Sequence, residues 1–329
     1  MRDAKIIGTG IYVPERVVTN ADLSRNLGED IDEFVAGVIG IRERRIAADN
    51  ESAADLATFA AEKAIADAGI YAADLDLVLL ATDTPEYISP ATSVVVQART
   101  GAVNAGTFDI NAACSGFVTA LDAAYKYIIA DEAYKNVLVI GCYAMSKFMD
   151  WKDKKTSTIF ADGAGAMVLQ TAGGEQHFLA SKLIADGGYH NYMGILAGGT
   201  KTPITPEVLA ENDTNRLRFA KKYPPEVNIE GWPRVIKEIL ARANVSIGDV
   251  DMFLFTQVNH STIRVVMRDM GVPDEKTHTI MHKWGYTGSA CIPMVFHDAA
   301  GAGKIKRGDI VVLCASGGGL NMAAMVIRY

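Results

Sequence analysis

The sequence predicts an α/β protein made of two similar halves, residues 1–172 and 173–329. Three observations carry this. First, Asp74-Leu-Asp-Leu-Val-Leu-Leu-Ala-Thr-Asp-Thr84 reads like Asp249-Val-Asp-Met-Phe-Leu-Phe-Thr-Gln-Val-Asn259, 175 residues later. Second, Asn136-Val-Leu-Val-Ile-Gly141 returns as Asp309-Ile-Val-Val-Leu-Cys314, 173 residues later. Two separate segments sharing nearly one offset mark an internal repeat. Third, strands alternate with helices inside each half, which implies layered sheets with mostly parallel pairing.

The elements follow in order. The four repeated runs are rich in strand formers and do not alternate apolar with polar, so each is expected to be a strand buried on both faces. Helices are expected over 52–68 and 232–243, each preceding a repeated strand. A further helix is expected after Cys114, where Cys114-Ser-Gly-Phe-Val-Thr-Ala-Leu121 begins a helical period. Residues 187–227 carry several Pro and Gly and no period. A stretch of that length is expected to be a loop or lid over a site, with disorder the competing reading.

Composition bounds the function. Of 329 residues, 49% are hydrophobic and 22% charged, the balance of a protein with a substantial core. No run reaches the ~18 apolar residues of a membrane helix. Residues 1–14 show no basic head followed by an apolar stretch, so no secretory signal is expected. A net charge of -7 argues against a nucleic-acid partner. The four cysteines (114, 142, 291 and 314) form no CxxC pair, and the six histidines do not cluster, so no metal site is expected. Scattered cysteines fit a cytoplasmic protein. Cys142, Cys291 and Cys314 lie in apolar runs and read as small buried hydrophobes.

Cys114 differs. It ends a short extended run, Phe108-Asp-Ile-Asn-Ala-Ala-Cys114, and opens a helix, with small residues on both sides. A thiol at a helix N-terminus meets the positive end of the dipole and free N–H groups, which favour thiolate. Small neighbours let a substrate carbonyl approach. Cys114 is therefore expected to be a nucleophile, against the alternative of a structural cysteine. Ala315-Ser-Gly-Gly-Gly-Leu320 follows an apolar strand and lacks the Lys and Ser/Thr of a P-loop. Its backbone N–H groups are free to hold an oxyanion, although a tight turn explains it equally well.

These segments, with Lys5-Ile-Ile-Gly-Thr-Gly-Ile-Tyr-Val-Pro-Glu15, Gly40-Ile-Arg-Glu-Arg-Arg-Ile-Ala47 and Phe160-Ala-Asp-Gly-Ala-Gly-Ala166, resemble the β-ketoacyl-ACP synthase III family of the thiolase superfamily over nearly the whole chain. The resemblance implies a thiolase fold, duplicated βαβ halves in a five-layer αβαβα sandwich. It implies an acyltransferase that carries acyl groups as a thioester on Cys114, with the N–H groups of Cys114 and Gly318 facing the oxyanion. It also implies a homodimer supplied by acyl-CoA or an acyl-carrier protein, the coenzyme A thioester being a substrate and no cofactor staying bound.

The family sets a His and an Asn beside its Cys. The His of its His-Gln-x-Asn motif falls on Thr256, in Phe255-Thr-Gln-Val-Asn259, and the Asn of its Gly-Asn-Thr motif falls on Tyr286, in Gly285-Tyr-Thr-Gly-Ser-Ala290. Those two side chains donate to the malonyl carbonyl as the enolate forms, and losing one such donor costs ~10²–10³ in rate. Acyl capture is therefore expected to survive while ordinary malonyl condensation is impaired or replaced. Three outcomes stay open: transfer to an O, N or S acceptor, joining to an unusual carbon nucleophile, or a non-catalytic role in a heterodimer. Retention of Cys114 argues against the last. His260 and His190 are candidate replacement bases, with an ordinary solvated or core role as the alternative.

Substrate positions follow by the same correspondence. Asn259 closes the altered motif. Ser89 takes the place of the residue with which a neighbouring subunit gates the acyl pocket, and its small size predicts a wide pocket. Phe34 and Lys154 occupy the positions that stack on adenine; a Lys lacks the planar guanidinium that stacks well, so weaker coenzyme A binding or a carrier-protein donor is expected. Arg264 and Arg268 share a helical face that could meet an acidic carrier, or simply face solvent.

Overall fold

The computed structural model describes residues 2–210 and 215–329. The expectation about the first residue of a leader, and 211–214 of the long connecting segment, lie outside the described residues. The apolar runs become two sheets. The first comprises β1 (Arg2–Tyr12), β2 (Leu77–Ala81), β3 (Gly106–Ile110), β4 (Asn136–Ala144) and β5 (Asp162–Gly173), in the order β1-β5-β4-β2-β3. The second comprises β6 (Phe178–Ala185), β7 (Met252–Phe255), β8 (Ile310–Gly317) and β9 (Asn321–Arg328), in the order β7-β8-β9-β6. Both sheets repeat one pattern. An outer strand pairs antiparallel with the last strand of its half, which pairs antiparallel with a central strand, which runs parallel to the next. The counterpart of the β2–β3 pairing is a single parallel bridge between Phe253 and Thr277.

The repeat has a polar latch. The Asp76 N–H donates to the Asn136 carbonyl, and the Asp251 N–H to the Ile310 carbonyl, both at 2.9 Å. Each aspartate carboxylate then accepts from the N–H of that same residue, at 2.9 Å from Asn136 and 2.8 Å from Ile310. Asn136 thus corresponds to Ile310, an offset of 174, one more than the apolar runs suggested.

Five layers result. Helices α1 (Ala53–Ala68) and α2 (Thr92–Thr100) cover the outer face of the first sheet. Helices α3 (Gly116–Ala130) and α6 (Cys291–Gly301) lie between the sheets, touching both. Helix α4 (Gly231–Ala243) covers the outer face of the second sheet, and α5 (His260–Asp269) follows β7. Strand alternation explains the unbroken apolar runs. Leu77, Leu79 and Ala81 pack with Phe117 and Leu121 of α3, whereas Val78 and Leu80 pack with Leu56 and Ala60 of α1. No helix among the described residues is long and apolar enough to cross a membrane.

Helix α1 and strand β1 approach backbone to backbone. A Cβ on Gly10 would sit 2.4 Å from the Ala64 nitrogen and 2.5 Å from the Ala60 oxygen; one on Gly8 would sit equally close to Ala68 and Ala64. Glycines two apart share a strand face, and alanines four apart share a helix face, so a bare strand meets a ridge of small residues. Segment 187–227 is ordered into short pieces where described: a turn at Gly187–Tyr189, helical turns at Pro206–Ala210 and Glu226–Ile229, and a ladder between Met193–Gly194 and Arg218–Phe219.

Replacing Gly10 with alanine is expected to lower stability by about 1–3 kcal/mol, the usual cost of overpacking. Gly173→Ala, where a Cβ meets nothing within 4 Å, serves as the unaffected control. Urea unfolding midpoints at constant slope measure both.

Candidate active site

Past Ile110 the chain turns sharply before α3. Ala113 takes a left-handed φ of 47°, a conformation that costs a non-glycine residue on the order of 1 kcal/mol. A single 3-10 turn, Ala113–Ser115, then leads into α3, and the Ser115 hydroxyl ties back to the Ala112 carbonyl at 2.7 Å. The turn at the end of β8 presses on this one. A Cβ on Gly317 would lie 2.5 Å from the Ala112 oxygen and 2.8 Å from the Cys114 nitrogen. Only a glycine admits that approach, which brings the Gly317-Gly318 backbone beside the thiol. Both residues line, with Cys114, a cleft of about 240 Å³.

Tyr286 shares the cleft. Backbone bonds to Ile159 and Ala161, 3.0 and 2.9 Å, fix its main chain, and its ring packs 5.5 Å from that of Phe160. Its side chain acts on the Cys114 thiol, favouring the anion. Burial nevertheless pushes the thiol well above its ordinary range, the Asp83 charge adds to this, and Tyr286 only opposes it. The expected pull of a helix N-terminus toward thiolate is therefore opposed here by burial. Cys114 is 3% exposed, and desolvation of the anion outweighs the half-charge of the dipole. Burial likewise raises Tyr286, and the neighbouring Cys114 adds to it.

Thr256 stands apart from the cleft. It is fully buried, and its Oγ1 accepts from the Ser316 N–H at 2.8 Å, joining the ends of β7 and β8. Asn259 does line the cleft, while its Oδ1 caps α5 by accepting from Ser261 and Thr262. Neither candidate replacement base lines it. His260 packs its Cβ beneath Gly40, where burial first, then Arg264, lowers its basicity. His190 is exposed, its Nδ1 3.1 Å from the Gly187 carbonyl.

A second cleft of about 640 Å³ brings Phe34 and Lys154 together, although they are far apart in sequence. Phe34 is 60% exposed, and Lys154 pairs with Glu29 at 3.0 Å. Lys155, Lys221 and Lys222 line the same cleft. Phe219 and Tyr223 belong to the walls of both clefts, so the two adjoin through the connecting segment expected to cover a site. Ser89 is exposed, between exposed Tyr87 and Pro90, and lines neither cleft. Arg264 and Arg268 are engaged with Asp274 and Asp269, at 3.3 and 2.8 Å.

Three polar groups escaped the sequence reading. Asn228 lines the Cys114 cleft with a sealed Oδ1 that has no partner. The Asp83 Oδ1 and the Tyr143 hydroxyl are also sealed and partnerless. Asp83 carried one signal: an acid just past the carboxyl end of a buried parallel strand, where open α/β sheets place their ligands. Burial lifts its carboxyl to about 6 from 3.8. Folding thus binds that proton more tightly, so the group's stabilising contribution is full below the unfolded value and is lost as pH rises through about 6.

Comparison with known proteins fits this geometry. The model of 3-oxoacyl-(acyl-carrier-protein) synthase III matches residues 108–187, and the model of its C-terminal part matches 240–329. The β-ketoacyl-(acyl-carrier-protein) synthase III of Aquifex aeolicus is 37% identical over 325 residues, 99% of each chain. The chain belongs to the 3-oxoacyl-(acyl-carrier-protein) synthase III family. The crystal structure of the Aquifex aeolicus synthase III superposes with a TM-score of 0.89 at 35% identity, covering 99% of this chain and 100% of that one. The priming β-ketosynthase of the R1128 polyketide pathway superposes at 0.91 with 26% identity, covering 99% and 96%. The five-layer architecture is thus the thiolase fold, and the chain is an enzyme of the synthase III family of condensing transferases. The first family match contains Cys114; the second contains Thr256, Asn259, Tyr286 and Gly318.

Two substitutions separate scaffold from chemistry. Thr256→Val, which strands the Ser316 N–H, is expected to cost about 1–3 kcal/mol, read by chemical denaturation, while Thr256→Ser keeps the acceptor. Tyr286→Phe removes the hydroxyl that favours the thiolate, so alkylation of Cys114 by iodoacetamide at fixed pH is expected to slow roughly two- to tenfold, followed by peptide mass mapping.

Proposed function

We propose that the protein is an acyltransferase of the 3-oxoacyl-ACP synthase III type that captures an acyl group on Cys114 and passes it on by a step other than ordinary malonyl condensation. One observation carries this reading: Cys114 shares its cleft with the Gly317-Gly318 turn and the Tyr286 hydroxyl, and no histidine lines that cleft among the described residues. In the capture step Sγ attacks the donor's thioester carbonyl. The N–H groups of Cys114 and Gly318 receive the developing oxyanion, and the donor thiol departs.

The motif correspondence gives Thr256 and Tyr286 the positions of the family's His and Asn. Thr256 Oγ1 accepts from the Ser316 N–H, and Thr256 does not line the cleft. Tyr286 supplies a hydroxyl donor beside the thioester, uncharged and on a long ring. That favours an acceptor needing less help than a malonyl enolate, either an O, N or S nucleophile or an activated carbon acid. The adjoining cleft suits the donor's phosphorylated arm. Phe34 offers an exposed ring, and Lys154, Lys155, Lys221 and Lys222 offer cations. The donor is acyl-CoA or an acyl-carrier protein, the latter named in the relatives' own descriptions. A homodimer would place Ser89 beside the partner's acyl pocket, where its small side chain admits medium, branched or aromatic groups.

Intact-protein mass spectrometry after incubation with a panel of acyl-CoA and acyl-carrier thioesters tests the reading. The expected outcome is an acyl adduct, absent from Cys114→Ala, that malonyl thioester does not discharge. Discharge with release of a β-keto product would return the protein to standard condensation. No adduct from any donor would leave it a non-catalytic partner.

A further inference from the structure

The partnerless polar atoms of Asp83 and Tyr143 lie on the side of the sheet that holds Cys114. Along β2, Leu77, Leu79 and Ala81 face the central helices, and a Cβ on Gly116, the first residue of α3, would come 3.2 Å from the Ala81 Cβ. Asp83 follows two residues on, with the same parity, just past the strand end. On β4, Val137, Val139 and Tyr143 belong to the same cluster as Cys114. The register sets Ala81 opposite Gly141 on one side and Ile110 on the other. Asp83 therefore comes level with Tyr143, next to the turn that carries the thiol. The Asp83 charge acts on both Cys114 and Tyr143.

A carboxyl oxygen sealed without a partner costs stability, and Asp83 carries one although the residue is only half-buried. We propose that Asp83 is the acid–base group of Cys114, taking the thiol proton as Sγ attacks the donor and returning it to the leaving thiol. This rests on the capture reading above and supplies the proton path that reading lacks. The Sγ–H bond breaks, the proton moves to Asp83, and the Sγ–carbonyl bond forms. Collapse of the tetrahedral intermediate breaks the donor's C–S bond, and the departing thiolate takes the proton back. Acyl-Cys114 and free donor thiol result, with Asp83 again a carboxylate and no change of oxidation state.

The proton must move during attack rather than before it. A standing thiolate beside a carboxylate in a sealed site puts two like charges together; in the attack, charge leaves sulfur for the carbonyl oxygen. With its carboxyl at about 6, Asp83 is ionised at neutral pH yet acidic enough to give the proton back. Among the described residues, the titratable groups that act on this pair are Tyr143 at the end of β4, Tyr286 before α6, Cys291 at its start and Tyr223 from the connecting segment, which burial also raises. Burial first raises all four, so they stay neutral near pH 7. Asp162, which also acts on Tyr143, is held by Ser146 and the Ala47 N–H.

Single-turnover acylation of Cys114, read by quench and intact mass, tests the proposal. In the wild type the rate is expected to fall about tenfold per pH unit below about 6, and Asp83→Asn to be slower by about 10²–10⁴ with that dependence gone. Asp83→Glu should restore part of the rate. The Asp83→Asn protein should melt no lower than wild type, since its Oδ1 has no partner to lose. A wild-type acylation rate in Asp83→Asn, or a slower rate with the same pH profile, overturns the assignment. So does a wild-type profile that is flat through pH 6, which needs no variant. Should no donor acylate the wild type, the capture reading fails instead, and iodoacetamide alkylation of Cys114 then decides. A midpoint moved to lower pH in Asp83→Asn supports the coupling, and an unmoved one refutes it.

Discussion

The site depends on one backbone contact, that of Gly317 with the turn before α3. Cys114 belongs to the first sheet's half of the chain and Gly318 to the second. Their backbones share one cleft only because the two turns nearly touch, and any side chain at 317 would hold them apart. The rest of the fold brings those turns to that distance. Two sheets of like topology, separated by a shared helical layer, end their parallel strands at one level. The hydroxyl of Thr256 then pins the end of β8 to that of β7 through Ser316.

That arrangement leaves Cys114 dry. Close packing aims N–H groups without later reorganisation, but it also removes the water that would stabilise a thiolate. Burial therefore favours the neutral thiol over the thiolate. Tyr286 acts on the thiol from one side. Asp83 bears on it from the other with a charge, and the two act in opposite directions on the same sulfur.

Much of the fold was legible because it rests on local chemistry. Strands covered on both faces must be apolar throughout, and helix α1 announces itself by its period and its capping residues Ser52 and Asp55. The two halves were visible as a repeat, yet their offset was misjudged by one residue for β4 and β8. An all-apolar strand carries no mark of its register. The mark lay on the neighbouring strands, in Asp76 and Asp251, whose carboxylates fix the residue opposite. Cys114 could be singled out by its small neighbours. Its protonation could not, because burial is a property of the whole fold. Thr256 was read as a catalytic position, whereas the contact it makes is with a partner sixty residues away. Phe34 and Lys154 meet only across the cleft. Asp83 passed unnoticed since an acid after a strand ordinarily begins a solvated loop.

The contact of β1 with α1 has a dynamic consequence. Over most of the core, side chains separate the backbones and can change rotamer while the elements keep their places. Between Gly8 or Gly10 and the ridge of Ala60, Ala64 and Ala68 there is no such cushion. The strand cannot shift along the helix by even a fraction of a residue without main-chain collision. Amide hydrogens of the two elements should therefore exchange with solvent as one cooperative unit, opening together or not at all. Since β1 pairs along nearly its full length with β5, that unit reaches across the sheet toward the strands that end at the thiol.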